Sequence, residues 1–380
     1  MDQTSVFDFV LRKNADLVSF ALGLPNPDLF PVAELTAAVD AVFKSPGDVY
    51  QYANPLEELR EHIVRLMAMR GVTCAPEQIV LTNGAQHGID MAVRLLCGSG
   101  RPIVLEEITY TGALSAVLAG DTPVHTVGTS GSLARAVAGL VGAGVRPGAM
   151  YVMPEGHNPL GVSLPGPERR ALAELAREHA FTLIEDDAYG FLQYDDEPRP
   201  ALRSLEDRWV FYVGSFSKVI SPGLRVGWIV VPDALVDQAL VVKEASTLEV
   251  ATPGQHIVAR LLDGWDLAAH IGVLRREYAL RRDVMRRCLE EVLPAGTPFS
   301  RPDSGMFFWV ELPEGVDTGE LLKVAASEYG VSFVPGDLYL SGPVQAKRNY
   351  LRLSFSCVSP AEIEAGTERL GRLLRDRGIA

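Results

Sequence analysis

Between Ile79 and Val231 the chain repeatedly passes from a short apolar run to a segment with helical spacing. Ile79-Val-Leu-Thr reads as a strand that leads through a small-residue turn into an amphipathic helix ending near Leu96. Pro102-Ile-Val-Leu-Glu and Ala149-Met-Tyr-Val-Met read as further strands, and Pro167 to Ala180 as a helix followed by the strand Thr182-Leu-Ile-Glu. Repeated strand-helix units predict an α/β architecture, a parallel or mostly parallel sheet with helices on both faces. In such sheets, sites gather beyond the carboxyl ends of the strands, so the residues just after each apolar run are the first candidates for chemistry.

One of these stretches is Trp209-Val-Phe-Tyr-Val-Gly-Ser-Phe-Ser-Lys-Val-Ile-Ser-Pro-Gly-Leu-Arg-Val-Gly-Trp-Ile-Val-Val231, which parses as strand, polar turn, strand. The turn holds Lys218 between Ser215 and Ser217 on one side and Arg225 on the other. Removal from water disfavours a charged amine and lowers its pKa, and a neutral amine is a nucleophile. Arg225 keeps its charge and, with the two serines, supplies donors suited to a phosphate. An amine beside a phosphate clamp suits a Schiff-base site for pyridoxal phosphate, while a solvated lysine with Arg225 in a surface pair fits the same residues. Ser215-Phe-Ser-Lys218 also satisfies the Ser-x-x-Lys nucleophile pattern, without its usual Ser-Asp-Asn and Lys-Thr-Gly companions.

Other strand ends add partners. Gly84-Ala85-Gln86 opens a helix, where unpaired amides and the helix dipole can seat a phosphate, as can any ordinary turn of this kind be merely structural. Tyr110 can offer a flat face to a planar ring or pack in the core. Pro154-Glu-Gly-His-Asn-Pro-Leu-Gly161 and Glu185-Asp-Asp-Ala-Tyr-Gly190 follow two more strands. A carboxylate there can pair with a protonated pyridine nitrogen, with Asn158 and Tyr189 at a ring hydroxyl; the same acidic triplet also suits Mg²⁺ or a solvated loop. Gly23 marks a turn or a close approach to a ligand. Arg352, inside the alternating run Tyr350-Leu-Arg-Leu-Ser, can grip a carboxylate in two bonds or form a surface salt bridge.

The chain has 380 residues, more than one core of roughly 250 to 300 residues absorbs, so two domains are expected. A formal net charge of −13 and the lack of a basic run argue against a nucleic-acid surface. Four scattered cysteines without a Cys-x-x-Cys pair indicate neither a zinc site nor a disulfide framework, and no metal is expected. The opening residues read as no signal peptide and no run suits a membrane span, which gives a cytoplasmic expectation. Elsewhere, Phe7 to Arg12 can start a short helix, and a long helical region from about Arg260 to Val292 is expected to be interrupted at Gly264 and Gly272.

Taken together, these stretches resemble the fold-type I pyridoxal-phosphate enzymes, in particular the class I/II aminotransferases and their α-aminoadipate/kynurenine aminotransferase branch. The likeness runs from Ser19-Phe-Ala-Leu-Gly-Leu-Pro to Leu351-Arg-Leu-Ser. It implies a seven-stranded-type sheet in a large cofactor-binding domain over 41–257, a smaller α+β domain over 258–380, and a segment 1–40 that joins the small domain and the active-site mouth. By the resemblance, Lys218 forms the internal aldimine with pyridoxal 5'-phosphate and shuttles the α-proton, and Asp186, three before Tyr189, lies under the pyridine nitrogen. Ser215, Ser217, Arg225, Gly84, Ala85 and Gln86 surround the phosphate, Tyr110 stacks on the ring, and Asn158 and Tyr189 meet its hydroxyl. Arg352 takes the substrate α-carboxylate, with Gly23 and Asn158 also toward the substrate. Tyr52 reaches the phosphate of a neighbouring subunit, so a homodimer is implied. The activity implied is transfer of an α-amino group from an amino acid to a 2-oxo acid through pyridoxamine phosphate. Leu160, where the family carries threonine, and a shortened loop after Tyr52 leave open β- or γ-elimination, replacement or carbon-carbon bond formation on the same fold.

Overall fold

The computed structural model describes residues 16–44, 47–98, 100–194 and 199–379. The helix start expected over Phe7–Arg12 lies outside them. The central sheet has seven strands: β2 (Ile79–Thr82), β3 (Ile103–Glu106), β4 (Val124–Val127), β5 (Ala149–Val152), β6 (Thr182–Asp186), β7 (Val210–Ser215) and β8 (Gly227–Val230). Their order is β2-β8-β7-β6-β5-β3-β4, and only β8 runs against its neighbours. The mostly parallel sheet expected from the sequence is thus present with seven strands.

Successive strand side chains point to opposite faces, and here both faces are covered. Ile103, Leu105, Ala149, Tyr151, Ile184, Phe211 and Val213 pack against α3 (Ala85–Cys97), α4 (Thr111–Ala119) and α7 (Val236–Thr247). Their neighbours Val104, Met150, Val152, Leu183 and Val210 pack against α5 (Leu133–Gly142) and α6 (Gly166–His179) on the other face. The edge strand β4 and helix α5 have no counterpart in the sequence reading. Val124 is exposed and His125 and Thr126 are half-buried, so the run lacks the apolar signature of its inner neighbours.

The C-terminal third forms a second layer. β9 (Phe307–Glu311), β11 (Val334–Pro335) and β12 (Tyr350–Ser354) make an antiparallel sheet in the order β11-β12-β9. Helices α9 (Leu267–Val292), α10 (Thr318–Glu328) and α11 (Pro360–Asp376) accompany it. The expected break at Gly272 does not occur. The region is two helices, α8 (Thr252–Gly264) and α9, and Gly272 lies inside the second. A glycine in a helix interior costs about 1 kcal/mol, and the burial of Ile271 and Leu274 beside it, each stabilising by roughly 1.5–3 kcal/mol, outweighs that.

The chain's beginning is joined to this layer: β1 (Val18–Ser19) pairs in parallel with β10 (Val331–Ser332). Beyond it the Phe20 carbonyl accepts from the Ser354 amide. Residues 20–24 therefore run beside β12. Among the described residues, no helix is long and apolar enough to cross a membrane.

Candidate active site

The topology decides what can meet. β2, β3, β5, β6 and β7 run in one direction, so Thr82, Glu106, Val152, Asp186 and Ser215 end on one edge of the sheet, and antiparallel β8 begins there at Gly227. A cavity of about 500 Å³ opens above this edge. It is lined by Gly23, Ala85, Gln86, Tyr110, Asn158, Asp186, Tyr189, Ser215, Ser217, Lys218, Arg225 and Arg352, twelve of the fourteen residues singled out from the sequence. Gly84 stands just behind, as the cap of α3. Tyr52 is not in the cavity; it is 80% exposed.

Lys218 ends a 3-10 turn, Phe216–Lys218, which follows β7 and is capped by the Ser215 hydroxyl accepting from the Ser217 amide at 3.1 Å. The Lys218 Nζ donates to the Gly23 carbonyl at 2.9 Å and lies 5.9 Å from the centre of the Tyr189 ring. Burial, aided by the Arg352 and Arg225 charges and opposed by Asp186, pushes its pKa down to about 8. About a tenth of this amine is thus neutral at pH 7.

The acidic triplet splits three ways because strand alternation sends neighbours to opposite faces. Asp186 faces the cavity and the α3 side. Its Oδ2 accepts from the Tyr151 hydroxyl at 2.8 Å and its Oδ1 from the Ala188 amide at 3.3 Å. Burial, opposed by the Tyr151 hydrogen bond, leaves its pKa raised to about 6. Asp187 turns the other way, into a two-pronged pair with Arg70 at 2.8 and 3.2 Å and a bond from the Tyr212 hydroxyl at 2.8 Å. Glu185, pushed up by burial and by Asp187, accepts from the amides of Leu202 and Arg203. Only Asp186 of the three is presented to a ligand.

Arg352 projects from the middle of β12, buried, with its guanidinium 4.2 Å from the Phe307 ring centre and 5.0 Å from that of Tyr339. It donates to Asn158 Oδ1 at 2.8 Å and to the Ala21 carbonyl. Its Nε is buried with no hydrogen-bond partner. An unpaired buried donor on a charged group is costly, so this guanidinium retains capacity for a further acceptor. Gly23 is required by a close approach, not by a turn: a Cβ there lies 2.4 Å from the Phe307 ring.

At the opposite end, Gly84 has φ +78° and its missing Cβ leaves room for the Arg225 guanidinium, which is 2.6 Å from where that atom belongs. Arg225 is itself left-handed at φ +54° and donates to the Asn83 carbonyl at 2.7 Å. The first-turn amides of α3 have no partner within the helix, so they, Arg225, Ser215 and Ser217 form a donor cradle for a dianion. Tyr110 caps α4. These residues fit a phosphorylated pyridine aldehyde: a donor cradle at one end, an amine in the middle, a lone carboxylate below and a guanidinium beyond.

Tyr151 is a participant that the sequence did not reveal. It is buried in β5, one position of a uniformly apolar run, and only the register Tyr151↔Ile184 shows that its hydroxyl reaches two residues along β6 to Asp186. A hydrogen bond to a charged group contributes roughly 1.5–3 kcal/mol. Replacing Tyr151 by phenylalanine is expected to raise the Asp186 pKa by about one unit, each unit being about 1.4 kcal/mol. The acid limb of the kcat/KM profile, measured across pH 5 to 8, moves up accordingly; an unmoved limb shows the bond to be inconsequential.

A mostly parallel seven-stranded sheet with a lysine and a carboxylate at its strand ends, and an arginine of the second sheet facing the same cavity, matches the fold-type I class of pyridoxal-phosphate enzymes. The chain belongs to the class I and II aminotransferases, whose family model matches residues 20–370. It is 31% identical to aromatic-amino-acid aminotransferase 1 of Thermococcus litoralis over 96% of this chain and 90% of that protein. Against the 2-aminoadipate transaminase of Thermus thermophilus it is 32% identical, over 96% and 92% of the two. Its structure superposes on that of the Pyrococcus horikoshii kynurenine aminotransferase, solved in complex with PMP, KYN and KYA, with a TM-score of 0.90, 30% identity, and 100% and 95% coverage. The chain is therefore an aminotransferase acting on amino acids and 2-oxo acids, and the elimination, replacement and bond-forming alternatives are not favoured.

Proposed function

We propose that the cavity holds pyridoxal 5'-phosphate, with Lys218 as the amine that binds its aldehyde and Asp186 beneath its pyridine nitrogen. The observation that carries this is the convergence of Lys218, Asp186 and Arg352 on one cavity whose other end is a donor cradle. Bound there, the cofactor supplies an aldehyde that accepts an amino group and a ring that draws electrons from the substrate α-carbon. Ser215, Ser217, Arg225 and the Gly84-Ala85-Gln86 turn hold the phosphate. Tyr110 covers one face of the ring, and Asn158 and Tyr189 bond its hydroxyl.

Lys218, neutral in part at physiological pH, would take the proton from the substrate α-carbon and deliver it to the carbon that had been the cofactor's aldehyde, two bonds along through the nitrogen. Asp186, as an anion, keeps the ring nitrogen protonated. Arg352 orients the substrate through its α-carboxylate. Arg352→Lys keeps the charge but loses the planar fork, and is expected to lower kcat/KM by on the order of 10²- to 10³-fold, chiefly through KM. Steady-state kinetics with varied amino acid check this; an unchanged KM removes Arg352 from the role.

The reading as a whole is tested by mixing pyridoxal-phosphate-loaded protein with an amino acid and separating the cofactor by chromatography. Pyridoxamine phosphate and the matching 2-oxo acid are expected in equal amounts. If the cofactor comes back only as the aldehyde with every amino acid tried, transamination at this site is refuted.

The same reading extends to assembly and place. The exposed Tyr52 is the residue that reaches the phosphate of a second copy, in a cytoplasmic homodimer with a site at each subunit contact. Residues 41–257 form the cofactor-binding domain and 258–380, with the first forty, the smaller one. Mixed dimers in which one copy carries Tyr52→Phe and the other Lys218→Ala distinguish a shared site from a separate one.

A further inference from the structure

We infer that Glu106 and His157 are a pair of positioning residues: through His157, the end of β3 holds the turn that carries Asn158 and so fixes the side-chain amide that Asn158 presents to the cavity. This rests on the pyridoxal-phosphate reading above and deepens it, since Asn158 is there assigned to the ring hydroxyl. Neither Glu106 nor His157 lines the cavity, so both act through Asn158.

The orientation of Asn158 follows from its neighbour. A guanidinium has only donors, so the Asn158 atom that meets Arg352 Nη1 at 2.8 Å is Oδ1, and the NH2 group is the end left for a ligand. Where that amide sits depends on the turn 157–162, which closes on itself: the His157 amide donates to the Val162 carbonyl at 2.9 Å and its carbonyl accepts from the Gly161 amide at 2.6 Å. At this level the backbone ladder between β3 and β5 has already stopped. It holds only Ile103↔Ala149 and Val104↔Met150, two residues short of Glu106. The His157 side chain reaches across to β3 there. Its Nδ1 accepts from the Leu160 amide at 3.4 Å, which puts the ring proton on Nε2, and Nε2 stands 3.3 Å from Glu106 Oε2. The two residues are only 4% and 6% exposed, and a carboxylate so buried is kept where a partner answers its charge. Glu106 is itself tied down, its carbonyl accepting from the Ser341 hydroxyl at 3.1 Å.

The test reads the pH at which the visible absorbance of the pyridoxal-phosphate-loaded protein changes, a quantity that a loss of stability alone does not move. A donor at the ring oxygen draws off its negative charge and so eases loss of the proton on the Lys218 nitrogen joined to the cofactor; retreat of that donor delays the loss. His157→Leu is expected to raise the midpoint by about one pH unit and to lower kcat/KM about tenfold. His157→Gln, which keeps an N–H for Glu106, is expected to restore both. The double variant Glu106→Leu/His157→Leu leaves no buried charge unpaired, and is expected to move the midpoint no further than His157→Leu alone, because the members of one contact do not add. An unmoved midpoint in His157→Leu, an equal displacement in His157→Gln, or a clearly larger one in the double variant overturns the inference while leaving transamination intact. Should His157→Leu fail to fold, the double variant decides, and a midpoint at the wild-type value overturns the inference. A loaded wild type with no visible band refutes the cofactor reading and this one with it.

Discussion

Lys218→Ala is expected to abolish turnover, with kcat reduced by on the order of 10⁴-fold or more, because on the proposed reading one side chain supplies both the covalent attachment and the mobile proton. Two measurements separate this from a folding defect. Borohydride treatment of the loaded wild type fixes a mass equal to the reduced cofactor on the peptide that contains Lys218, and in the variant on none. The melting temperature of the variant stays near that of the cofactor-free wild type, since the side chain's one hydrogen bond is to the Gly23 carbonyl. Retention of activity in Lys218→Ala overturns the assignment.

The depressed pKa adds a pH signature. Only the neutral amine attacks an aldehyde, and the Lys218 amine loses its proton as pH rises through about 8. The rate at which cofactor-free protein takes up pyridoxal phosphate is therefore expected to climb with pH, reach half its maximum near pH 8 and level off about one unit above, as followed by absorbance after rapid mixing. A plateau displaced toward the ordinary lysine value, above 10, places the amine in water instead.

Asp186→Ala carries the second large effect. The variant removes the anion proposed to face the ring nitrogen, and loss of one fixed electrostatic partner of a developing charge costs about 10²- to 10³-fold in kcat. Asp186→Asn, which keeps the shape and loses the charge, is expected to fall equally far. A rate near wild type for the asparagine variant assigns the residue to packing. In the cofactor-free chain this carboxyl takes up a proton as pH falls through about 6, so its anionic share declines on the acid side of that value. Asp187→Asn acts differently: it weakens the buried pair with Arg70, a change of stability at a side chain that does not line the cavity.

Residues at strand ends were legible because the repeated units name those ends before any coordinate is known. Lys218, Asp186, Asn158 and Gly84 follow apolar runs, and a parallel sheet puts such positions on one edge whatever its strand order. Preferring Asp186 over Asp187 rested on spacing to Tyr189, and the physical ground is the alternation that turns Asp187 toward Arg70. Tyr151 was not legible, since its partner depends on a register between β5 and β6 that neither strand encodes alone. The two-residue pairing of Val18-Ser19 with Val331-Ser332 was hidden for a related reason: two residues are too few to show a period. Gly272 misled in the opposite direction, its local preference being overridden by the burial of its neighbours.

The short span from Ala21 to Leu24 has a practical corollary for anyone preparing this enzyme. Its carbonyls hold a guanidinium 331 positions away and an amine 195 positions away, so two of the chemically essential groups depend on main chain from the far end of the polypeptide. Trimming the gene to begin at residue 41 keeps every ionisable side chain that lines the cavity yet discards those acceptors, and such a fragment is expected to be not a minimal catalyst but a disarmed one.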